Sequence, residues 1–484
     1  MTENSAQFYA ALCAHDSRFD GVFYVGVTST GIYCRPICRV RTPKKENCRF
    51  FNTREAAEKQ GFRPCLRCRP ELAPGHAPVD DSQRIAHLIA QRIEEGAIEG
   101  DGGIEDIADQ FELGSRQIRR IMQKELGVSP VELLQTRRLL LAKQLLTETA
   151  MPVTDIAFAS GFSSLRRFND AFLSRYKMPP TRLRKTVAEK GASVADAETS
   201  RVLLAYRPPY DWAGFLSFLK MRVLKDVEWV TEDAYYRTVC IDTHKGWIAV
   251  RHAPEKNALS IEFTHTLVPV LPVLLNRLRH QFDLGARTDL IAEHLSQDKK
   301  LAKVVARHPG LRVPGGFDGF ELALRAILGQ QVTVKAATTL GGRLAGAFGR
   351  KIKTPFPELS RLSPLSAHIA RATVDDIGKL GITGARAKCM IALARACASG
   401  ELSLNAGANP DKTIAQLIVL PGIGPWTAHY IAMRALRWPD AFPKEDIAVR
   451  NNLGGVTARK AEELSRAWSP WRSYAVLYIW KGLE

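Results

Sequence analysis

Two cysteine pairs, Cys34-x3-Cys38 and Cys65-x2-Cys68 with 26 residues between them, limit what the first part of this chain can become. Thiolates at these spacings can supply four ligands to one tetrahedral zinc, which ties two loops together and lets a small segment fold with little core of its own. Read from the cysteines alone, the metal can be no more than a staple, and that reading stays open. Cys13 and Cys48 fall outside the spacing and are taken as bystanders. Nine cysteines and no basic run before an apolar core in Met1-Thr-Glu-Asn-Ser-Ala6 point to a cytoplasmic chain whose thiols bind metal instead of pairing. No apolar run approaches the roughly 18 residues of a membrane span, so no membrane partner is expected.

Its 484 residues are more than one core can organise and predict three or four domains. With 68 Lys and Arg against 50 Asp and Glu the formal charge is +18, the footprint of a nucleic-acid partner; a basic membrane-surface or ribosome-associated protein would share it. From Arg35 to Arg69 there are eleven basic residues against three Glu, among them Arg39, Arg41, Lys44 and Lys45. Beside a zinc site these read as phosphate contacts.

Pro74-Gly-His-Ala-Pro78 reads as a linker, and a helical segment starts near Asp81. Two similar units follow. Ile104-Glu-Asp-Ile-Ala-Asp-Gln-Phe111 precedes Ser115-Arg-Gln-Ile-Arg-Arg-Ile-Met122, and Val153-Thr-Asp-Ile-Ala-Phe-Ala-Ser-Gly-Phe162 precedes Ser164-Leu-Arg-Arg-Phe-Asn-Asp-Ala-Phe172. A short helix, a turn, and a second helix opened by Ser and carrying exposed Arg make a helix-turn-helix, twice. Arg116, Arg119 and Arg120, with Arg166 and Arg167, are the candidate groove and phosphate contacts. The polar, aperiodic stretch from Thr186 to Ser200 reads as a flexible linker. Beyond it, Arg237-Thr-Val-Cys-Ile241, Gly246-Trp-Ile-Ala-Val250 and Leu259-Ser-Ile-Glu-Phe263 predict strands, with a helix over Trp212 to Leu224. From about Asp283 the pattern is helical, with Gly and Pro turns. Leu420-Pro-Gly-Ile-Gly424 predicts a short hairpin between helices Ile414–Leu420 and Pro425–Leu436, with Gly422 and Gly424 free of the φ restriction and N–H groups that can face a phosphate.

The cysteine segment, with Thr30-Gly-Ile-Tyr-Cys-Arg-Pro-Ile-Cys38 and Gly61-Phe-Arg-Pro-Cys-Leu-Arg-Cys68, resembles the N-terminal domain of the Ada adaptive-response regulators. The resemblance implies that Cys34 is both a zinc ligand and the acceptor of a methyl group from a DNA methylphosphotriester; beside that thiolate Arg35, at the head of the basic run, is read as a DNA contact with the others. The spacing Asp155-Ile-Ala, Gly161-Phe, Phe168, Phe172, Pro179 is similar to the AraC-type regulators, implying double-stranded promoter DNA and RNA polymerase as partners.

Leu420-Pro-Gly-Ile-Gly-Pro-Trp-Thr-Ala428, Trp468-Ser-Pro-Trp-Arg-Ser-Tyr-Ala475 and Arg207-Pro-Pro-Tyr-Asp-Trp212 resemble the helix-hairpin-helix DNA glycosylases of the AlkA type, which excise alkylated bases such as 3-methyladenine. The resemblance implies Asp446 as the catalytic carboxylate, with Glu445 secondary, and Phe218, Trp426, Tyr430 and Trp480 as a base pocket. It also allows a monovalent cation on backbone carbonyls of the hairpin. Trp426 stands where strand-cutting relatives carry a Schiff-base lysine, so a monofunctional enzyme is expected. Gln331 stands where the family has a wedging leucine; a polar side chain or a neighbour fills the gap. No Pro-Cys-His-Arg motif is present, and no direct repair of O6-methylguanine is expected.

The expected fold is therefore multidomain and mainly α. Residues 1-74 form a small zinc-bound α/β domain and 80-186 an AraC-type double helix-turn-helix. After a linker at 187-200 come an α+β glycosylase subdomain over 201-284 and an all-helical hairpin domain over 285-484.

Overall fold

The computed structural model describes residues 5–16, 19–21, 23–72, five helical positions between 85 and 93, and residues 113–188, 198–406 and 408–482. The linker at 74–78, the helix start near 81 and the first helix of the first helix-turn-helix, 104–111, lie outside the described residues. The chain divides into two compact units, Met1–Gln135 and Thr136–Glu484.

In the first unit, strands β1 (Tyr24–Val27), β2 (Ile32–Cys34), β3 (Cys48–Phe51) and β4 (Arg63–Pro64) form a sheet in the order β3-β1-β2-β4. Only β2 and β4 run parallel, with Ile32 opposite Arg63 and Tyr33 opposite Pro64. This register brings the two cysteine pairs together, because Cys34 ends β2 while Cys65 follows β4 and donates its N–H to the Tyr33 carbonyl at 3.0 Å. Helix Ser115–Leu126 is closed by Gly127 at φ 73° and buries Ile118, Ile121 and Met122.

In the second unit, helices Val153–Ala159 and Leu165–Tyr176 make a helix-turn-helix. The turn passes through Gly161 at φ 87°, and the Ser164 hydroxyl caps the second helix by accepting from the Arg167 N–H at 3.2 Å. Five antiparallel strands, β5 (Thr199–Ala205), β6 (Glu228–Val230), β7 (Ala234–Ile241), β8 (His244–Ala253) and β9 (Ala258–Thr264), follow in the order β5-β9-β8-β7-β6. Helix Trp212–Lys220 is four residues shorter than expected at its end. The rest is a helical domain whose core includes Leu324, Ile327, Met390, Leu417, Ile431 and Val476.

One expectation is corrected here. The stretch from Thr186 to Ser200 is not linker to its end, because Thr199 and Ser200 belong to β5, where Ser200, Val202 and Leu204 alternate inward. β5 is an edge strand, and its outward backbone is occupied. From helix Pro130–Glu148, Gln144 donates to the Leu203 carbonyl at 2.6 Å, and Glu148 accepts from the Leu203 N–H at 2.8 Å. One apolar core runs from Leu146 of that helix and Ile156, Phe168 and Phe172 of the helix-turn-helix into Val202, Leu204, Ile261 and Leu267 of the sheet region. Helix-turn-helix and sheet are packed as one body.

Candidate active site and metal centre

Helices Trp212–Lys220, Gly319–Leu328, Pro425–Arg434 and Arg472–Lys481 surround a cavity of about 270 Å³. Phe218, Trp426, Tyr430 and Trp480 all line it. Trp426 and Tyr430 are four residues apart on one helical face and stack at 5.2 Å with an interplanar angle of 16°. Trp480 tilts toward Tyr430 at 6.3 Å.

Asp446 is the N-cap of helix Ile447–Asn452 and is 8% exposed. Its carboxylate takes three bonds, from the Val449 N–H at 2.9 Å, the Trp426 indole at 2.9 Å and the Trp480 indole at 3.2 Å. The same two indoles that wall the cavity therefore aim the carboxylate, and the helix N-terminus favours its charge. Glu445 has its Oε2 buried without a partner.

Sequence reasoning missed the charges around these rings. Arg222 lies over the Phe218 ring at 3.8 Å and Arg434 at 4.9 Å from its centroid. Burial pushes the Tyr430 hydroxyl up, but Arg434, which donates to it, and Arg222 outweigh that and bring it below its ordinary range. Behind them Arg237 meets Glu321 at 2.8 Å, and Arg325 meets Glu228 at 2.7 Å. The signal was available, since Arg222 follows Phe218, and Arg434 follows Tyr430, by one helical turn. Phe218 and Tyr430 thus each carry a guanidinium beside the ring.

At the hairpin, Gly422 has φ 82°, and a Cβ there would sit 3.3 Å from the Cys389 Cβ. Gly424 does not need its freedom, since φ −88° and ψ 172° are open to any residue. Gln330, unremarked in the sequence, donates to the Gly422 carbonyl at 2.9 Å and to the Thr427 hydroxyl at 3.0 Å, fixing the loop that carries Gln331 to the hairpin. Gln331 is exposed, with φ 52°.

In the first unit the sulfurs of Cys34, Cys38, Cys65 and Cys68 all lie within 4.8 Å of one another, buried on every side. Left as thiols they divide their protons unequally. The hydrogen bond between them pulls Cys38 down and pushes Cys34 up; four thiolates packed this closely repel one another and can all be ionised only around a cation. The set fits one Zn2+.

Arg35 is a correction. It is fully buried, paired with Asp20 through Nη2 and through an Nε bond of 2.7 Å, and donates to the Cys68 carbonyl at 3.4 Å. It braces the cysteine loop from within and leaves no side-chain surface to offer a phosphate. Arg39 is paired with the otherwise buried Glu125 of helix Ser115–Leu126. Arg41, Lys44, Lys45, Arg116, Arg119, Arg120, Arg166 and Arg167 are exposed.

Over its whole length the chain is 36% identical to the probable bifunctional transcriptional activator/DNA repair enzyme AlkA of Mycobacterium tuberculosis, across 97% of that protein. The chain belongs to this family. Three segments of the chain match known domains: the metal binding domain of Ada at residues 7–71, a helix-turn-helix domain at 107–186, and the AlkA N-terminal domain at 201–318. Across 57% of its length it is 33% identical to DNA-3-methyladenine glycosylase 2 of Escherichia coli, covering 95% of that enzyme. The 3-methyladenine DNA-glycosylase of Archaeoglobus fulgidus shares the fold over 58% of this chain and 96% of its own, with a TM-score of 0.51 at 19% identity. Among the described residues no helix is long and apolar enough to cross a membrane.

Proposed function

We propose that this protein excises alkylated bases from double-stranded DNA, and that its N-terminal module reports the same damage by accepting a methyl group on Cys34. The observation that carries the first part is the carboxylate of Asp446 held by the two indoles that wall the cavity. A base turned out of the duplex would stack against Trp426 and Tyr430. As the bond from C1′ to the base nitrogen breaks, the base leaves with the electron pair and positive charge grows on the sugar, where the Asp446 carboxylate stabilises it. Water then adds to C1′ and loses a proton, leaving an abasic site and an uncut strand, since no lysine stands at Trp426.

In the N-terminal module, zinc when bound would keep the sulfurs of Cys34, Cys38, Cys65 and Cys68 deprotonated at neutral pH. The Cys34 sulfur forms a bond to the methyl carbon while the methyl–oxygen bond breaks, and the phosphodiester leaves with the electron pair. The main-chain N–H of Arg35 donates to the Cys68 sulfur at 3.4 Å and draws charge off it, which supports Cys34 as nucleophile over Cys68. Arg41, Lys44 and Lys45 would hold phosphates, while Arg116, Arg119, Arg120, Arg166 and Arg167 would engage a promoter to which RNA polymerase is recruited. The hairpin at Gly422 and Gly424, with a monovalent cation on its carbonyls, and Gln331 would hold the strand at the lesion. Domain limits at 1-74, 80-186, 201-284 and 285-484, and a cytoplasmic site of action, belong to the same proposal.

Two measurements on the full chain test it. Incubation with duplex carrying 3-methyladenine should yield abasic sites with wild type and roughly 100-fold fewer per unit time with Asp446→Asn. Incubation with methylphosphotriester DNA should add one methyl mapped to Cys34 by mass spectrometry. Equal excision by Asp446→Asn would overturn the first assignment, and a methyl on another cysteine or on none would overturn the second.

A further inference from the structure

The walls of the cavity hold charged and amide side chains as well as rings, and nearly all of them are spoken for. Glu228 accepts from the Leu224 N–H at 2.9 Å and from the Tyr235 hydroxyl at 2.7 Å. Glu321 is met by Arg237, Arg325 donates to the Arg222 carbonyl at 2.8 Å, and Arg434 donates to the Pro314 carbonyl at 2.7 Å. Gln281 differs. It ends helix Leu271–Gln281, lines the cavity and is 2% exposed, and its Oε1 is buried with no hydrogen-bond partner. Among the described residues lining the cavity, it alone leaves a buried polar side-chain atom unpaired.

We infer that Gln281 is a specificity residue whose amide oxygen accepts a hydrogen bond from an N–H on the edge of the bound base. A buried acceptor without a donor is unfavourable, and a ligand that brings the donor removes that penalty while one that lacks it does not. The terminal torsion of a glutamine amide is broad, so the group can turn its acceptor toward the cavity without leaving its rotamer. The stacked rings select a flat π system, and Gln281 adds a requirement on its rim. 3-Methyladenine, with an exocyclic amino group, satisfies it, and so does hypoxanthine, with a ring N–H. 1,N6-Ethenoadenine, whose exocyclic nitrogen is closed into a ring and carries no hydrogen, does not.

This inference rests on the glycosylase reading, and single-turnover excision separates the two. Full-length wild type, Gln281→Leu and Gln281→Glu are compared on duplexes carrying hypoxanthine or 1,N6-ethenoadenine, with thermal melting as a check on folding. The inference expects Gln281→Leu to lose about tenfold on hypoxanthine, about 1.4 kcal/mol of transition-state stabilisation, with ethenoadenine excision unchanged or raised. Gln281→Glu, which keeps an acceptor, should recover most of the hypoxanthine rate. An equal change on both bases, or none on either, in a variant that melts like wild type would overturn the role of Gln281. No release of 3-methyladenine by the same wild-type protein would overturn the glycosylase reading beneath it, whereas release of 3-methyladenine with hypoxanthine left untouched would overturn the role of Gln281 alone.

Discussion

Asp446 and Arg35 are both buried charges, and both were singled out in the sequence, but they do opposite work. Asp446 is buried beside a cavity and its partners are the cavity's own walls, so replacing either indole alters how the carboxylate is aimed. Trp480→Phe keeps a ring and removes one N–H; it should slow excision by roughly tenfold while leaving the melting temperature within a few degrees, readable from abasic-site formation and calorimetry. Arg35 is buried beside a thiolate cluster, and its partner is Asp20. Arg35→Met leaves Asp20 uncompensated and should destabilise the N-terminal module by about 3 kcal/mol, with zinc lost at lower chelator concentration than from wild type. The motif Cys-Arg-Pro was legible, and the role of its arginine was not, because nothing local announces that Asp20 lies across the loop.

Among the elements, the hairpin could be read almost whole from Leu420 to Ala428, since glycine and proline act locally. Gly422 bears this out with its left-handed backbone and its close neighbour Cys389, whereas Gly424 could be replaced without strain. Gly422→Ala should therefore weaken binding to an abasic-site duplex and lower stability by about 1 kcal/mol, and Gly424→Ala should lower stability less, as a direct comparison of binding and urea unfolding would reveal. Edge strand β5 was half hidden, because Thr199 and Ser200 look like linker and only the inward alternation of Ser200, Val202 and Leu204 marks them. Helix Pro130–Glu148, which supplies the residues that cover this edge, drew no reading from the sequence. Its partner could not be guessed. If Gln144 and Glu148 close the edge, Glu148→Ala should speed hydrogen exchange at the Leu203 amide by about tenfold with little change at the amides of β8.

For the molecule as a whole, the charge of +18 bears on DNA affinity more than on fold. Binding to undamaged duplex should fall steeply with salt, and Lys44→Ala with Lys45→Ala should each flatten the log–log slope by about one, a shift measurable by fluorescence anisotropy. The family and the order of modules were plain from motifs. How the modules join was not, since residue composition at 187–200 suggested beads on a string while the second helix-turn-helix shares a core with the β sheet behind it. That shared core bears on why the two halves are inherited as a single gene. A chain severed between 189 and 197 would part β5 from the helix that covers it, baring an edge backed by apolar side chains, and such edges recruit copies of themselves. Solubility, as much as regulation, would then hold the fusion together.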